Sequence, residues 1–163
     1  MEDLYNSLLK YFINATITVW NSFIKTPMGK PYIEKAEENV FLFSGYVGVM
    51  SFAPALPGRI IIAMDDPVAL KVRDAFLDDE VEDSKVDTTL FSVAEFTNIV
   101  GGNTFSVFNN NFEKYRIFPS PPSAFYGKNI KFINFKVKGF NVIFPIEDKK
   151  LVLNMVILGD KND

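Results

Sequence analysis

Asp87-Thr-Thr-Leu-Phe-Ser-Val-Ala-Glu95-Phe-Thr-Asn98-Ile-Val-Gly-Gly-Asn103 is the segment around which this sequence is organised. At about 100° per residue, one arc of a helix contains the apolar residues Val93, Phe96, Val100 and Val107. The opposite arc contains Glu95, Asn98, Gly102 and Ser106. The segment therefore predicts a helix that runs from a cap at Asp87 to about Phe112, with a core face and a more polar outer face.

Glu95 and Asn98 are three residues apart, so their side chains are neighbours on a helix surface and can act on one target. By itself a Glu-x-x-Asn pair is a weak pattern, because such residues on an exposed face are usually only solvated. Gly101 and Gly102 follow one turn later, and each costs a helix about 1 kcal/mol relative to alanine. That cost indicates that the two glycines have a specific purpose, and one candidate is the close approach of another backbone.

Pro121 follows Asn98 after 22 intervening residues. A Glu-x-x-Asn pair with a proline at that distance resembles the signature of the CheC/CheX/FliY chemotaxis phosphatases. The segment Tyr11-Phe-Ile-Asn-Ala-Thr-Ile-Thr-Val-Trp20 resembles the opening helix of this family, and Gly58-Arg-Ile-Ile-Ile-Ala-Met64 resembles its strand that leads into a helix. The motif is present once, which is typical of the CheX branch, since CheC-type members usually carry two copies.

The resemblance implies hydrolysis of the aspartyl phosphate of a separate, CheY-like response regulator. It implies that Asn98 positions the attacking water and that Glu95 pairs with the active-site lysine of the regulator. Magnesium would be bound by the regulator, so this chain would need no cofactor of its own. Gly101 and Gly102 would let the two surfaces approach closely, and Pro121 would have a structural role in the loop beside the helix.

Phe91 is a departure from the family pattern, which commonly has Asp or Ser four residues before the glutamate. In this sequence the serine is one place later, at Ser92, and Ala94 replaces the usual glycine before the glutamate. On the helical wheel Phe91 lies beside Glu95 and Asn98. We expect Phe91 to be an apolar anchor for the partner; the alternative is a drifted member with altered specificity.

The composition excludes several classes of function. The formal net charge of −3 is not the basic footprint that a nucleic-acid binder requires. The absence of Cys and His excludes thiol nucleophiles, Ser-His-Asp triads, disulfides and nearly every transition-metal site. The acidic start is unlike a signal peptide, and the apolar runs are too short to span a bilayer. We expect one cytoplasmic domain, residues 1–163, without membrane contact.

The remaining segments predict an α+β fold around an antiparallel sheet, in the order α-β-β-α-α-β-β-β, and the resemblance implies a CheC-like fold. A first helix is predicted at residues 4–23, strands at 39–54 and 58–64, and a capped helix start at Asp65-Asp66-Pro67. After the long helix, residues 118–129 are expected to form a loop with three prolines. Strands are predicted at 130–137, 141–145 and 151–158, with turns at Lys138-Gly139 and Asp148-Lys149.

The resemblance also implies a homodimer formed by joining two sheets at an edge, for which residues 132–137 and 151–157 are candidates. One alternative function is a non-catalytic adaptor or flagellar-switch component, which would keep the partner surface without turnover. Another is a metal-dependent hydrolase that uses Asp65, Asp66 and the acidic run at residues 78–83. That run lacks the spacing and central glycine of a calcium loop, so a solvated loop is the simpler interpretation.

Overall fold

The computed structural model describes residues 2–35, 40–77, 85–133 and 137–158. The helices are α1 (Glu2–Phe23), α2 (Asp66–Phe76) and α3 (Lys85–Asn111), with a short 3-10 helix at Glu113–Tyr115. The strands are β1 (Tyr32–Lys35), β2 (Val40–Pro54), β3 (Gly58–Met64), β4 (Ile117–Pro119), β5 (Ser123–Ile133), β6 (Val137–Ile146) and β7 (Lys149–Leu158). The predicted α+β class is confirmed, and the predicted elements occur in the predicted order, with the short strands β1 and β4 in addition.

The strands form one antiparallel sheet in the order β1-β6-β7-β3-β2, and β2 then pairs with both β4 and β5. Because β7 lies between β3 and β6, the predicted sheet edge at residues 151–157 is wrong. Among the described strands β5 pairs only with β2, so its 11 residues form an edge. Residues 132 and 133 of the other predicted edge belong to β5, whereas residues 134–136 lie outside the described ranges.

The segment 118–129 is mostly strand, so the prediction of a loop there was wrong. β4 ends at Pro119 and β5 begins at Ser123, which leaves residues 120–122 as the connection. Prolines disfavour a central strand because they lack the N–H that a ladder hydrogen bond needs, but they are tolerated at a sheet edge. Pro119 is the last residue of β4 and pairs with Phe52 of β2, whereas Pro121 and Pro122 lie in the connection.

Two predicted turns had different outcomes. The turn at Lys138-Gly139 is wrong, because Gly139 lies within β6 and pairs with Val156 of β7. The turn between β6 and β7 is confirmed close to its predicted position, at Glu147 and Asp148. Glu147 takes a left-handed conformation there, with a φ of 57°.

The predicted start of α2 is confirmed, with Asp65 at the N-cap position, but the predicted capping interactions differ. The carboxylate of Asp65 does not cap α2, because it accepts a hydrogen bond from the backbone N–H of Lys150 at 2.9 Å instead. Pro67 does occupy the first turn of α2, where its missing N–H has no helical partner to lose. Asp87 lies in the first turn of α3 rather than at its cap, since that helix begins at Lys85.

The main core lies between the three helices and one face of the sheet. Its largest fully buried side chains are aromatic and come from both layers: Phe12, Trp20, Phe96, Phe108 and Phe144. Burying one such ring contributes about 1.5–3 kcal/mol relative to leaving it exposed. The acidic run at 78–83 lies outside the described residues. Among the helices described, none has the length and hydropathy that a transmembrane span requires.

Candidate functional site

Helix α3 lies close against strand β2. A Cβ at Gly48 of β2 would overlap the hydroxyl of Thr97, and a Cβ at Gly101 would lie 2.5 Å from Sδ of Met50. A side chain at Gly48 would therefore require Thr97 to move, whereas one at Gly101 would displace the end of the flexible Met50 side chain. The contact between Gly48 and Thr97 fixes α3 over β2, and Gly48 was not among the residues predicted to matter for the site.

The core face of α3 is confirmed for Val93, Phe96 and Val100, which are completely buried. Val107 was predicted to share that face but is 45% exposed. Near the C-terminal end of α3 the larger rings of Phe105 and Phe108 fill the core instead. The ring of Phe105 lies 5.4 Å from that of Phe12 and 5.3 Å from that of Phe52.

The buried face of α3 also carries small hydroxyl residues, and three of them satisfy their donors within the helix. Ser92 donates to the carbonyl of Thr88 at 3.0 Å, Thr97 to that of Val93 at 2.8 Å, and Thr104 to that of Val100 at 2.8 Å. These bonds to the preceding turn are the usual solution for such residues inside a helix. These three hydroxyl groups therefore serve the fold.

The outer face of α3 carries the residues that the sequence singled out. Asn98, Gly102 and Ser106 are exposed and Glu95 is half-buried. Phe91 lies one turn before Glu95 and is 65% exposed, the largest exposed fraction among the large apolar side chains described. Between Asp87 and Glu113 the only charged residue of the chain is Glu95. Interface centres are depleted in charge and enriched in aromatic residues, so this face has the composition of a contact surface.

Glu95 and Asn98 have their polar groups available. Among the residues that the structure describes, none forms a hydrogen bond or an ion pair with either side chain. At a spacing of three residues their Cβ atoms are about 5–6 Å apart, so both side chains can reach the same group on a bound molecule. The predicted pair is therefore placed together on one surface.

Gly101 and Gly102 differ in their surroundings, although they were predicted as one feature. Gly101 is buried against Met50, so its position does not support the predicted role in binding a partner. Gly102 is exposed, and a Cβ built there meets no atom within 4 Å among the described residues. The reason is geometric: neighbouring helical residues point about 100° apart.

Pro121 lies in the short connection between β4 and β5, which is tied to the rest of the molecule on both sides. Ser120 donates its N–H to the carbonyl of Ser51 at 2.8 Å, and its hydroxyl accepts from the N–H of Ser51 at 3.1 Å. The side-chain amide of Asn109 forms hydrogen bonds to both backbone groups of Ile117, at 2.8 and 2.9 Å. These contacts hold the residues next to Pro121 beside the strand on which α3 packs, and the structural role of Pro121 stays a prediction.

A separate depression of about 350 Å³ lies at the start of α2 and does not include Glu95 or Asn98. Its acidic groups already have partners. Asp66 accepts a hydrogen bond from the hydroxyl of Tyr126 at 3.3 Å, and its charge raises the pKa of Tyr126. Asp148 forms an ion pair with Lys149 at 2.9 Å. Within the described part of the chain, no group of three or more Asp, Glu, His or Cys residues could hold a metal ion.

Comparison with known proteins agrees with this fold. A chemotaxis protein CheX from Desulfovibrio desulfuricans superposes with a TM-score of 0.77 at 21% identity, covering 93% of this chain and 99% of that one. A CheC-like protein from Shewanella sp. PV-4 has a TM-score of 0.74 at 16% identity, covering 94% and 98%. The CheX–CheY–BeF3–Mg2+ complex from Borrelia burgdorferi matches with a TM-score of 0.71 at 24% identity, covering 93% and 97%.

These structures show that the fold is CheC-like. A sequence profile described as chemotaxis phosphatase CheX matches residues 46–145, a range that contains Glu95, Asn98 and Pro121. The chain belongs to the CheX family of chemotaxis phosphatases. A comparison with curated protein sequences gives no match.

Proposed function

We propose that this protein hydrolyses the aspartyl phosphate of a CheY-like response regulator, with Asn98 positioning water and Glu95 contacting the regulator. The main support is that the two side chains lie on the outer face of α3, where neither forms a hydrogen bond or an ion pair with the described residues. Both residues also lie inside the segment that matches the CheX family. A Borrelia burgdorferi CheX that was solved with CheY supports the class of partner.

Asn98 has the chemistry that this reaction requires. An aspartyl phosphate is already activated, so the phosphatase mainly has to hold water in line with the bond that breaks. The water oxygen bonds to phosphorus, and the bond from phosphorus to the carboxylate oxygen of the regulator breaks, which yields inorganic phosphate and free aspartate. A carboxamide can accept from and donate to that water, and it carries no charge to repel the phosphoryl oxygens.

Glu95 contributes to recognition of the regulator. As the only charged residue between Asp87 and Glu113, it provides a single negative group for a lysine of the partner. A hydrogen bond between two charged groups contributes about 1.5–3 kcal/mol. Magnesium would be held by the regulator, and the protein would act in the cytoplasm, where it meets that partner.

The direct test is a phosphate-release assay against the phosphorylated response regulators of the same cell. Replacing Asn98 with alanine should lower stimulated dephosphorylation by about 10²-fold or more, comparable to removing one positioning donor elsewhere. Circular dichroism should show an unchanged fold, because the side chain is exposed.

Asn110→Ala is the matched control, since Asn110 is also exposed on α3 but lies about 18 Å along the helix. This variant should keep the wild-type rate. An Asn98→Ala protein with full activity would refute the assignment.

The second candidate is an adaptor that binds the regulator without turnover. The exposed ring of Phe91, where the family commonly has a small or acidic residue, is the observation that favours it. The two functions separate in one experiment that measures binding and phosphate release together. An adaptor would bind the phosphorylated regulator and leave its rate of phosphate loss unchanged.

We further propose that the protein forms a homodimer through β5, the 11-residue edge strand. An edge strand presents unpaired N–H and C=O groups to a second chain, and Phe125 on β5 is 49% exposed. A lysine on an edge strand opposes such pairing. Phe125→Lys should therefore lower the mass measured by sedimentation from dimer to monomer, and a monomeric wild-type protein would contradict the proposal.

A further inference from the structure

Gly102 is unusual because nothing in the described chain requires it. A Cβ placed there meets no atom within 4 Å among the described residues, whereas a Cβ at Gly101 would lie 2.5 Å from Sδ and 3.0 Å from Cε of Met50. Gly102 also lacks a positive φ, so alanine would fit its helical backbone. Since alanine favours a helix more than glycine does, the folded monomer would be more stable with alanine at this position.

The position of Gly102 indicates that contact with a partner offsets the helix stability lost by having glycine there. It lies four residues after Asn98, which makes it the next residue along the same stripe of the helix. The stripe runs from the exposed ring of Phe91 through Glu95 and Asn98 to Gly102, and one charge is present along it. At Gly102 a partner can therefore contact the helix backbone itself.

We infer that Gly102 is the point at which the phosphorylated face of the regulator lies directly against α3, and that its missing side chain sets the distance at which Asn98 works. This inference rests on the proposed function. An added methyl group would hold the two surfaces apart by roughly one C–C bond length, about 1.5 Å. Displacements near 1 Å can lower a catalysed rate by about 10²-fold, because the reacting atoms leave their in-line geometry. Gly102 is thus a positioning residue that acts through Asn98.

The test compares Gly102→Ala with Gly101→Ala, using the full chain and a phosphorylated CheY-type receiver domain. Gly102→Ala should raise the melting temperature by about 2–4 °C. It should lower kcat for phosphate release by about 10- to 100-fold. Gly101→Ala places its methyl toward Met50, so its kcat should stay within about twofold of wild type. If moving the Met50 side chain prevents Gly101→Ala from folding, Asn110→Ala replaces it as the control, since Asn110 is exposed on α3 beyond the predicted contact surface.

The melting temperature and kcat of Gly102→Ala together distinguish a positioning glycine from a structural one. A purely structural glycine would give a lower melting temperature in Gly102→Ala, and that result would overturn the inference. A raised melting temperature with unchanged kcat would also overturn it, while the proposed function would stand if Asn98→Ala were inactive.

If the wild-type protein had no turnover, the proposed function would fail. The same variants would then be compared for binding to a receiver domain activated with beryllofluoride and Mg2+. Weaker binding of Gly102→Ala alone would support the close contact, and equal binding of all variants would overturn it.

Discussion

The two faces of α3 contain matched residues that serve different purposes. Phe96 and Gly101 on the inner face are explained by the fold, since the ring is fully buried and the glycine makes room for Met50. The fold does not explain Phe91 and Gly102 on the outer face. The ring of Phe91 is 65% exposed, and a methyl group at Gly102 would meet no atom of the described chain within 4 Å. Residues that oppose stability without an internal reason are expected where a protein binds or reacts.

The largest stability effect is expected on the inner face. Phe96→Ala should lower the free energy of unfolding by about 3–5 kcal/mol, because it leaves a cavity in a close-packed core. The ring lies 6.4 Å from that of Trp20 on α1 and 6.5 Å from that of Phe76 on α2, so its loss affects the contacts of all three helices. Urea denaturation measures the change.

Phe91→Ala provides the comparison for this measurement. Because the Phe91 ring is mostly exposed, the free energy of unfolding of this variant should differ from that of the wild type by less than about 0.5 kcal/mol. A loss at Phe91 as large as that at Phe96 would show that the two faces do not differ as described.

The same Phe91→Ala protein should show its defect in function instead. An aromatic anchor at an interface typically contributes more than about 1 kcal/mol, and about 1.4 kcal/mol corresponds to a tenfold change in affinity. The regulator concentration that gives half the maximal rate should therefore rise by about tenfold, with kcat unchanged. A titration of phosphate release against regulator concentration gives both quantities.

Phe118→Ala is the matched control for this titration. Its side chain is 59% exposed, but Phe118 follows the buried Ile117 on β4 and therefore points to the sheet face opposite the helices. Its substitution should leave the titration curve unchanged. Equal effects of Phe91→Ala and Phe118→Ala would show that general surface hydrophobicity, rather than a specific contact, governs binding.

Much of the fold could be predicted because its long elements carry strong periodic signals. The strand β3 has the predicted bounds, and α1 and α3 differ from their predicted bounds by two residues or fewer. The wrong predictions concern features that depend on how distant segments of the chain pair. The three prolines led to the prediction of a loop at 118–129, but residues 123–129 contain none of them and form a strand because they pair with the distant strand β2. Likewise, β7 has the composition of an edge candidate but lies inside the sheet.

The site was predictable to the extent that helical geometry determines it. The wheel placed Glu95, Asn98 and Gly102 on one face, and all three lie on the outer face of α3. The wheel could not show that Val107 is exposed, because that depends on which of several apolar residues fills the core near the end of the helix. Gly101 was predicted to share the role of Gly102 because the two residues are adjacent in sequence. Its contact with Met50 depends instead on how α3 packs on β2, which the sequence does not show.

The most direct test of the outer face as the docking surface is a nuclear magnetic resonance titration. The isotope-labelled protein would be titrated with a receiver domain activated by beryllofluoride and Mg2+. We predict that the largest shifts occur on α3 between Phe91 and Ser106, including the side-chain amide of Asn98. Shifts centred on Asp66 and Tyr126 or along β5, with α3 unaffected, would contradict this docking surface.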